Sequence, residues 1–355
     1  MSTGSRRVAV AISGGVDSAV TAAILKNEGY KVTGVTMKLW KGDAGKLEFA
    51  REVCQALEIP FYVIDFETQF QAGVIDYFCR EYLRGRTPNP CVRCNEKIKF
   101  GLLLDSALEM GADYLATGHY ARIEKSNGDY LLLKATDHAK DQSYLLYTLN
   151  QSELTHLLLP LGRFRKSQVR RMAQQMGLGV WERPESQEIC FIPDNDYRSF
   201  LAGCGSPRPG DIIDTAGKVL GRHSGIGFYT VGQRRGLRLA SREPLYIIEI
   251  DPSCNRLVVG TEKQLHRDEL YAGEVSLVNG DPPQNPIAVT AKIRYGAPGA
   301  KAMLYIQGRN ARLIFEEPQK AIAPGQAVVF YKGEEVLGGG TIEPDDRQQG
   351  TVRKA

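Results

Sequence analysis

The sequence predicts an α/β fold, a doubly wound parallel sheet followed by small β domains, on three observations. Short β-rich runs alternate with helical periodicity up to about residue 117, a double glycine closes the first of these runs, and past residue 203 the texture changes to β-rich runs separated by Gly, Pro and Asp. Taken in order, strands are expected at 8–12, 31–37, 61–65 and 114–117. Helical spacing runs from Ser18 to Asn27 and stops at Gly29, recurs at Leu47, Ala50, Cys54 and Leu57, and returns over 97–110. In such a sheet ligands gather at the carboxyl ends of the strands, so residues 11–18, 37–40 and 117–120 are expected to converge.

Beyond Gly118 a hairpin is expected over 122–134, turned at Asn127-Gly128. Val169, Met172, Ala173 and Met176 then form an apolar helical stripe, with Ser167 as N-cap and Gly177 closing the helix. The β-rich runs 246–250, 257–259, 288–295, 311–315 and 327–331 predict one or two small β domains, and the polar tail 345–355 is expected to be loose. The chain divides on this reading into 1–202, 203–270 and 271–355.

At the usual ~150 residues per domain, 355 residues make two to three domains, and 43% hydrophobic with 24% charged residues excludes collagenous and wholly disordered classes. No apolar run approaches the ~18 residues of a membrane span, and the run after Arg6-Arg7 is too short for a secretory signal. A cytoplasmic protein without membrane contact is expected. Seven cysteines, an odd count, are too few for a disulfide scaffold and point to a reducing compartment. The net charge of +4 permits a nucleic-acid partner without demanding one. Arg163, Arg165, Lys166, Arg170 and Arg171 cluster without an acid, as do Arg234, Arg235 and Arg238 after Tyr229. Phosphate contact and a solvated surface both fit these clusters.

Two motifs carry chemistry. Ser13-Gly14-Gly15-Val16-Asp17-Ser18 follows a strand and opens a helix, so backbone N–H groups and a helix N-terminus point at one spot, an anion cradle. Its glycines admit close backbone approach, Ser13 and Ser18 offer hydroxyls, and Asp17 is suited to hold Mg²⁺; the lysine of a Walker loop is missing. Cys91 and Cys94 form a C-x-x-C pair in a proline-punctuated loop before a helix, where the dipole and Arg93 are expected to lower the Cys94 pKa. Cys190 is a third thiol; a structural zinc site wants two such pairs, and only single cysteines remain. His119 fits either a nucleotide contact or a hydrogen-bonded structural role. Cys54 belongs to an apolar stripe, Cys79, Cys204 and Cys254 read as structural, and Trp40 and Trp181 as packing residues.

The SGGVDS turn resembles that of the PP-loop ATP pyrophosphatases, of adenine nucleotide alpha hydrolase-like fold, over roughly residues 7–150. TPNPCVRCNEKIKFG, ATGHYAR, DHAKDQSYLLYTL, SQEICFIP, GRHSGIGFYTVGQRRGL and IRYG, in this order, resemble the bacterial tRNA-specific 2-thiouridylases, which replace the C2 oxygen of the wobble uridine with sulfur. That resemblance implies ATP on Ala11, Ile12, Ser13, Gly14, Gly15, Val16, Asp17 and Ser18, with Met37 and Gly118 at its adenosine. It implies Asn89, Pro90 and Cys91 at the target base, and Lys140, Asp141, Gln142, Arg294 and Tyr295 on tRNA. Cys94 would be the nucleophile and Cys190 the persulfide carrier, resolved through a disulfide, and the last domain would be a β-barrel. Glutamate, glutamine and lysine tRNAs would be the substrates, and a cysteine desulfurase or sulfur-relay protein the donor. Many family members carry Asp where this chain has Cys91, so a general acid/base role does not carry over unchanged. Three thiols leave open a [4Fe-4S] cluster on Cys91, Cys94 and Cys190. A PP-loop amidotransferase-type synthetase and a nucleotide-gated RNA-binding protein are the rival readings.

Overall fold

The structure, a computed structural model, describes residues 6–42, 44–179, 189–192, 196–280 and 286–345. Trp181 and residues 186–188 and 193 of the SQEICFIP motif lie outside the described residues, as does the tail after Asp345.

Alternation within β1 (Arg7–Ala11) builds both faces of the first layer. Val8 and Val10 enter one core with Val20 and Ala23, while Ala9 enters the opposite core with Val35, Leu103 and Leu115. Helix α1 (Val16–Asn27) follows β1 and ends at Gly29, whose φ of 86° reverses the chain into β2 (Lys31–Lys38). Helix α2 (Ala44–Ala56) leads to β3 (Phe61–Asp65), and further strands are β4 (Tyr114–Ala116), β5 (Ala121–Ser126), β6 (Asp129–Lys134) and β7 (Leu157–Leu158). The first sheet runs β3-β2-β1-β4-β7, every pair parallel, so the chain reverses direction of winding beside β1.

The helix expected over 97–110 starts earlier and is two things: a π-helical stretch Asn95–Leu102 and an α-helix Leu103–Glu109. The helix expected to start at Ser167 runs Lys166–Gln175. Its N-cap is Arg165, not Ser167, because Gln168 Oε1 accepts from the Arg165 N–H at 2.8 Å and Asp137 Oδ2 from the Lys166 N–H at 2.9 Å. Val169 and Ala173 of its stripe are buried, whereas Met176 lies past the last turn and is exposed.

A four-stranded sheet of Gly210–Ile213, Val219–His223, Tyr246–Asp251 and Arg256–Gly260 packs on Ile212, Ile247, Leu257 and Val259. The last six strands, His266–Leu277, Ile287–Lys292, Ala300–Gln307, Asn310–Lys320, Ala327–Lys332 and Glu335–Glu343, close into an antiparallel barrel through pairing of the first with the last. The stretch 300–307 escaped the pattern because Met303 and Tyr305 face outward between the inward Ala302, Leu304 and Ile306. The strand 335–343 escaped it because of its three glycines, and a Cβ on Gly338 would lie 2.2 Å from the Ser276 carbonyl.

The expected hairpin is β5 and β6, turned at Asn127 and Gly128 with φ of 51° and 100°. It does not stay with the parallel sheet. Leu133 pairs with Glu335, and the hairpin extends the barrel sheet to eight strands. Leu132, Tyr144, Val329 and Tyr331 therefore share one core with Leu103 and Leu115. Among the described residues no helix is long and apolar enough to cross a membrane.

Arg86 bolts the α/β unit to the last barrel strand. Its terminal nitrogens meet both Glu343 carboxylate oxygens at 2.6 and 2.9 Å, and its Nε lies 2.9 Å from the buried Glu81. Arg86→Met is expected to cost about 2 kcal/mol in urea unfolding, less than the roughly 3–5 kcal/mol of a fully buried pair because Glu343 is partly solvated. A loss below about 0.5 kcal/mol would show that the bolt carries nothing.

Candidate active site

At the carboxyl edge of the parallel sheet the Ile12 N–H still bonds Val35 O at 2.8 Å, and then the chain turns. Gly14 has φ of 74°, and a Cβ there would lie 2.7 Å from Phe49 Cβ on α2. Ser18 holds the turn shut: its hydroxyl donates to Gly15 O at 3.1 Å and accepts from the Ser13 N–H at 3.1 Å. Gly15 caps α1 without a side-chain bond, so the first N–H groups of that helix are left for an anion. The return loop closes on this turn at Gly118, where a Cβ would lie 2.9 Å from the Asp17 carbonyl carbon and 3.0 Å from Ser18 N. Residues 11–18 and 117–120 thus converge as expected, and half-buried Ala11 and Met37 pack on one core.

Asp17 is not poised to ligate a metal. Lys166 Nζ donates to its two oxygens at 2.8 and 2.7 Å, and Tyr120 OH to Oδ1 at 2.7 Å. The carboxylate expected to hold Mg²⁺ is neutralised by an ammonium, so the residues present do not fit that role. Lys166, read with the basic cluster, is buried and turned inward; Arg163, Arg165, Arg170 and Arg171 are exposed.

The thiols come next along the same edge. Asn89 Oδ1 accepts from the Cys91 and Val92 N–H groups at 3.1 and 3.3 Å and, with Pro90 in the first turn, starts the short helix Pro90–Cys94. Cys94 lies in the second turn of a helical run that continues without a break through Asn95–Leu102 to Glu109, and Arg93 turns away to Glu96 at 3.0 Å and over the Tyr77 ring at 5.0 Å. The expected lowering of its pKa is therefore reversed. Burial pushes the Cys94 thiol up to about 12, opposed by Lys99 and reinforced by the nearby Cys190 and Cys91. Cys91 has an exposed edge but is crowded by protein, which holds its pKa up against Lys99.

Cys190 is exposed beside Phe191, a buried anchor whose ring sits 5.7, 5.4 and 5.4 Å from those of Phe70, Phe78 and Phe200. Cys190, 96 residues later in the chain, lies near enough to Cys94 to raise its pKa. Among the described residues no three His, Cys, Asp or Glu side chains are grouped to hold a metal ion, so nothing here supports the cluster reading of Cys91, Cys94 and Cys190. Cys79 and Cys204, read as structural thiols, are joined in a disulfide, and Cys54 is buried in the core as expected.

His119 follows Gly118, bonds Thr117 Oγ1 through Nδ1 at 2.7 Å, and packs its ring 5.6 Å from Phe100. Burial, then Lys99, hold its pKa well below the usual histidine value. Lys99 thus acts on Cys91, Cys94 and His119 together, and the sequence reading missed it. No local sequence signal marked it, because the π-helical stretch Asn95–Leu102 that carries Lys99 shows only in the structure.

Of the residues expected on tRNA, Asp141 is buried and fully engaged by the Ala135 and Ser143 N–H groups and the Ser143 hydroxyl at 3.0, 3.2 and 2.9 Å. Lys140 and Gln142 flank it half-buried. Arg294 and Tyr295 are exposed on the barrel; the Tyr295 ring lies 5.9 Å from that of buried Tyr144, and its pKa is raised by burial, then by Asp141 and Cys91. The barrel therefore reaches the thiol site.

A glycine-rich turn at the switch of a parallel sheet, thiols beside it and a β-barrel behind define a nucleotide-binding α/β enzyme class of HUP type. The family model described as a tRNA methyl transferase HUP domain matches residues 6–194, followed by that of a tRNA methyl transferase PRC-barrel domain over 198–261 and an aminomethyltransferase beta-barrel domain over 267–342. The tRNA-specific 2-thiouridylase of Moorella thermoacetica is 48% identical over 351 residues, covering 94% of this chain and 98% of its own. That of Clostridioides difficile is 45% identical over 354 residues, covering 95% and 98%. The chain belongs to the tRNA-specific 2-thiouridylase family. A 4-thiouridine synthetase–RNA complex with bound ATP aligns over 52% of this chain and 45% of its own at 18% identity and a TM-score of 0.34, too distant to carry an argument.

With its thiol pKa near 12, Cys94 in the protein alone is expected to react slowly with iodoacetamide at pH 8 and about tenfold faster per pH unit above it, followed by mass spectrometry of its peptide. Lys99→Met should slow it further at each pH. Rapid alkylation at neutral pH would show that the thiol is not held protonated.

Proposed function

We propose that this chain thiolates the C2 position of the wobble uridine, position 34, in tRNA at the expense of ATP. The observation that carries the reading is the approach of the anion-binding turn, through Gly118 and His119, to Lys99 and the thiols Cys94 and Cys190. A carbonyl oxygen is a poor leaving group. ATP is the co-substrate that converts it: the uridine O2 attacks the α-phosphorus, pyrophosphate departs, and the oxygen then leaves as part of AMP. Ala11, Ile12, Ser13, Gly14, Gly15, Val16, Asp17 and Ser18, with Met37 and Gly118, are the residues we assign to the nucleotide, the α1 N–H groups meeting its phosphates. No step is routed through Mg²⁺.

Sulfur arrives as a persulfide on Cys190. Its terminal sulfur attacks C2 and expels AMP, leaving the base joined to Cys190 through two sulfurs. Cys94 then attacks the Cys190 sulfur, a Cys94–Cys190 disulfide forms, and 2-thiouridine is released. That disulfide is reduced by an external thiol before the next cycle. A thiol stored at a pKa of about 12 needs help at this step, and the Lys99 ammonium stabilises the thiolate.

Asn89, Pro90 and Cys91 are assigned to the target base, and Lys140, Asp141, Gln142, Arg294 and Tyr295 to the tRNA, Asp141 by shaping its segment. Glutamate, glutamine and lysine tRNAs are the proposed substrates, a cysteine desulfurase or relay protein the donor, and the cytoplasm the place of action. We divide the chain into a catalytic unit 1–202, a central β unit 203–270 and the barrel 271–355, whose first strand, His266–Leu277, begins before that last boundary. The family-model descriptions speak of methyl transfer, but the full-length relatives and the paired thiols favour sulfur.

Cys94→Ser and Cys190→Ser are each expected to abolish 2-thiouridine formation, assayed by mercury-gel retardation, while tRNA-dependent pyrophosphate release continues. Full thiolation by either variant would instead favour a synthetase that uses no paired thiols.

A further inference from the structure

The nucleotide turn and the segment assigned to tRNA are joined by a closed circuit of hydrogen bonds. Gln142 N–H donates to Tyr120 O at 2.8 Å, and Tyr120 N–H donates back to Gln142 Oε1 at 3.0 Å. Tyr120 OH donates to Asp17 Oδ1 at 2.7 Å, and Lys166 Nζ to Oδ1 and Oδ2 at 2.8 and 2.7 Å. Lys166 N–H donates to Asp137 Oδ2 at 2.9 Å, and Asp137 O accepts from Lys140 N–H at 2.9 Å, from which the backbone through Asp141 closes the circuit at Gln142. The ammonium also lies 5.6 Å from the Tyr120 ring centre. Tyr120 and Lys166 are buried, while the Asp17 carboxylate between them keeps partial contact with solvent.

We propose that Tyr120 is a positioning residue that couples tRNA docking on Lys140 and Gln142 to phosphate binding at the turn; this rests on the function proposed above. A turn without a lysine of its own has Lys166 as the buried cation beside it, and that cation is divided between Asp17 and any phosphate placed on the α1 N-terminus. The Tyr120 hydroxyl decides the division. While it donates to Asp17 it offsets part of that carboxylate's charge and leaves the ammonium available to phosphate. Movement of Gln142, which grips the Tyr120 backbone in both directions, moves the hydroxyl. The two ligands thereby acquire a differential interaction with the same ion pair, as coupling requires.

The test is the ratio of pyrophosphate release with saturating unmodified tRNA to release without it. Tyr120→Phe keeps the ring and removes the hydroxyl, and should lower this ratio about tenfold, within the usual range of coupling between sites. Gln142→Leu should lower it similarly at saturating tRNA, and the double variant should lose little more than either single one. Were Tyr120→Phe not to fold, Gln142→Leu decides. Ratios equal to wild type in the folded variants overturn the coupling. Wild-type protein that releases no pyrophosphate with tRNA overturns the proposed function instead.

Discussion

The backbone contact between Gly118 and the turn at Asp17 and Ser18 is the constraint on which the site depends. With a Cβ excluded at 2.9 Å, the loop after β4 can lie against the loop after β1 only as glycine. The two residues that follow are then aimed by the chain itself. His119 goes toward Phe100, in electrostatic reach of Lys99, and Tyr120 goes toward Asp17. One close approach thus sets both the phosphate side and the sulfur side, and neither half could be moved without the other.

Charge is handled at this edge by storing reactive groups in quiet forms. Asp17 is matched by Lys166, Cys94 keeps its proton by burial, and His119 stays neutral for the same reason. Lys99 stands apart as a half-buried cation, without a hydrogen-bond or ion-pair partner among the described residues. In the reading proposed above, a polyanionic substrate supplies the missing negative charge, and attack by a free thiolate is held back until it is present.

Much of this edge was legible in the sequence, because its determinants are local. Alternation and helical spacing located the strands and helices around the turn, and Asn127-Gly128 located the hairpin, each within a few residues. The failures share a cause: they were decided by partners far away in the chain. Ser167 lost the cap to Asp137 and Gln168, and Lys166 left its arginine neighbours for an aspartate 149 residues earlier. The Cys94 thiol was misjudged because burial outweighs the field of the helix N-terminus it sits near. The barrel strands Ala300–Gln307 and Glu335–Glu343 hid behind outward apolar residues or glycines, whose meaning depends on closure of the sheet.

The hairpin's enlistment in the barrel has a bearing on biogenesis. Lys134 Nζ finds the Gly333 carbonyl 199 residues downstream, so at roughly 5–20 residues per second the ribosome leaves that strand edge waiting for tens of seconds. Through this interval the nascent amino-terminal half carries an unpaired edge and an open core around Leu132 and Tyr144. The order in which the polypeptide emerges leaves that edge and core incomplete until the strand Glu335–Glu343 has been made.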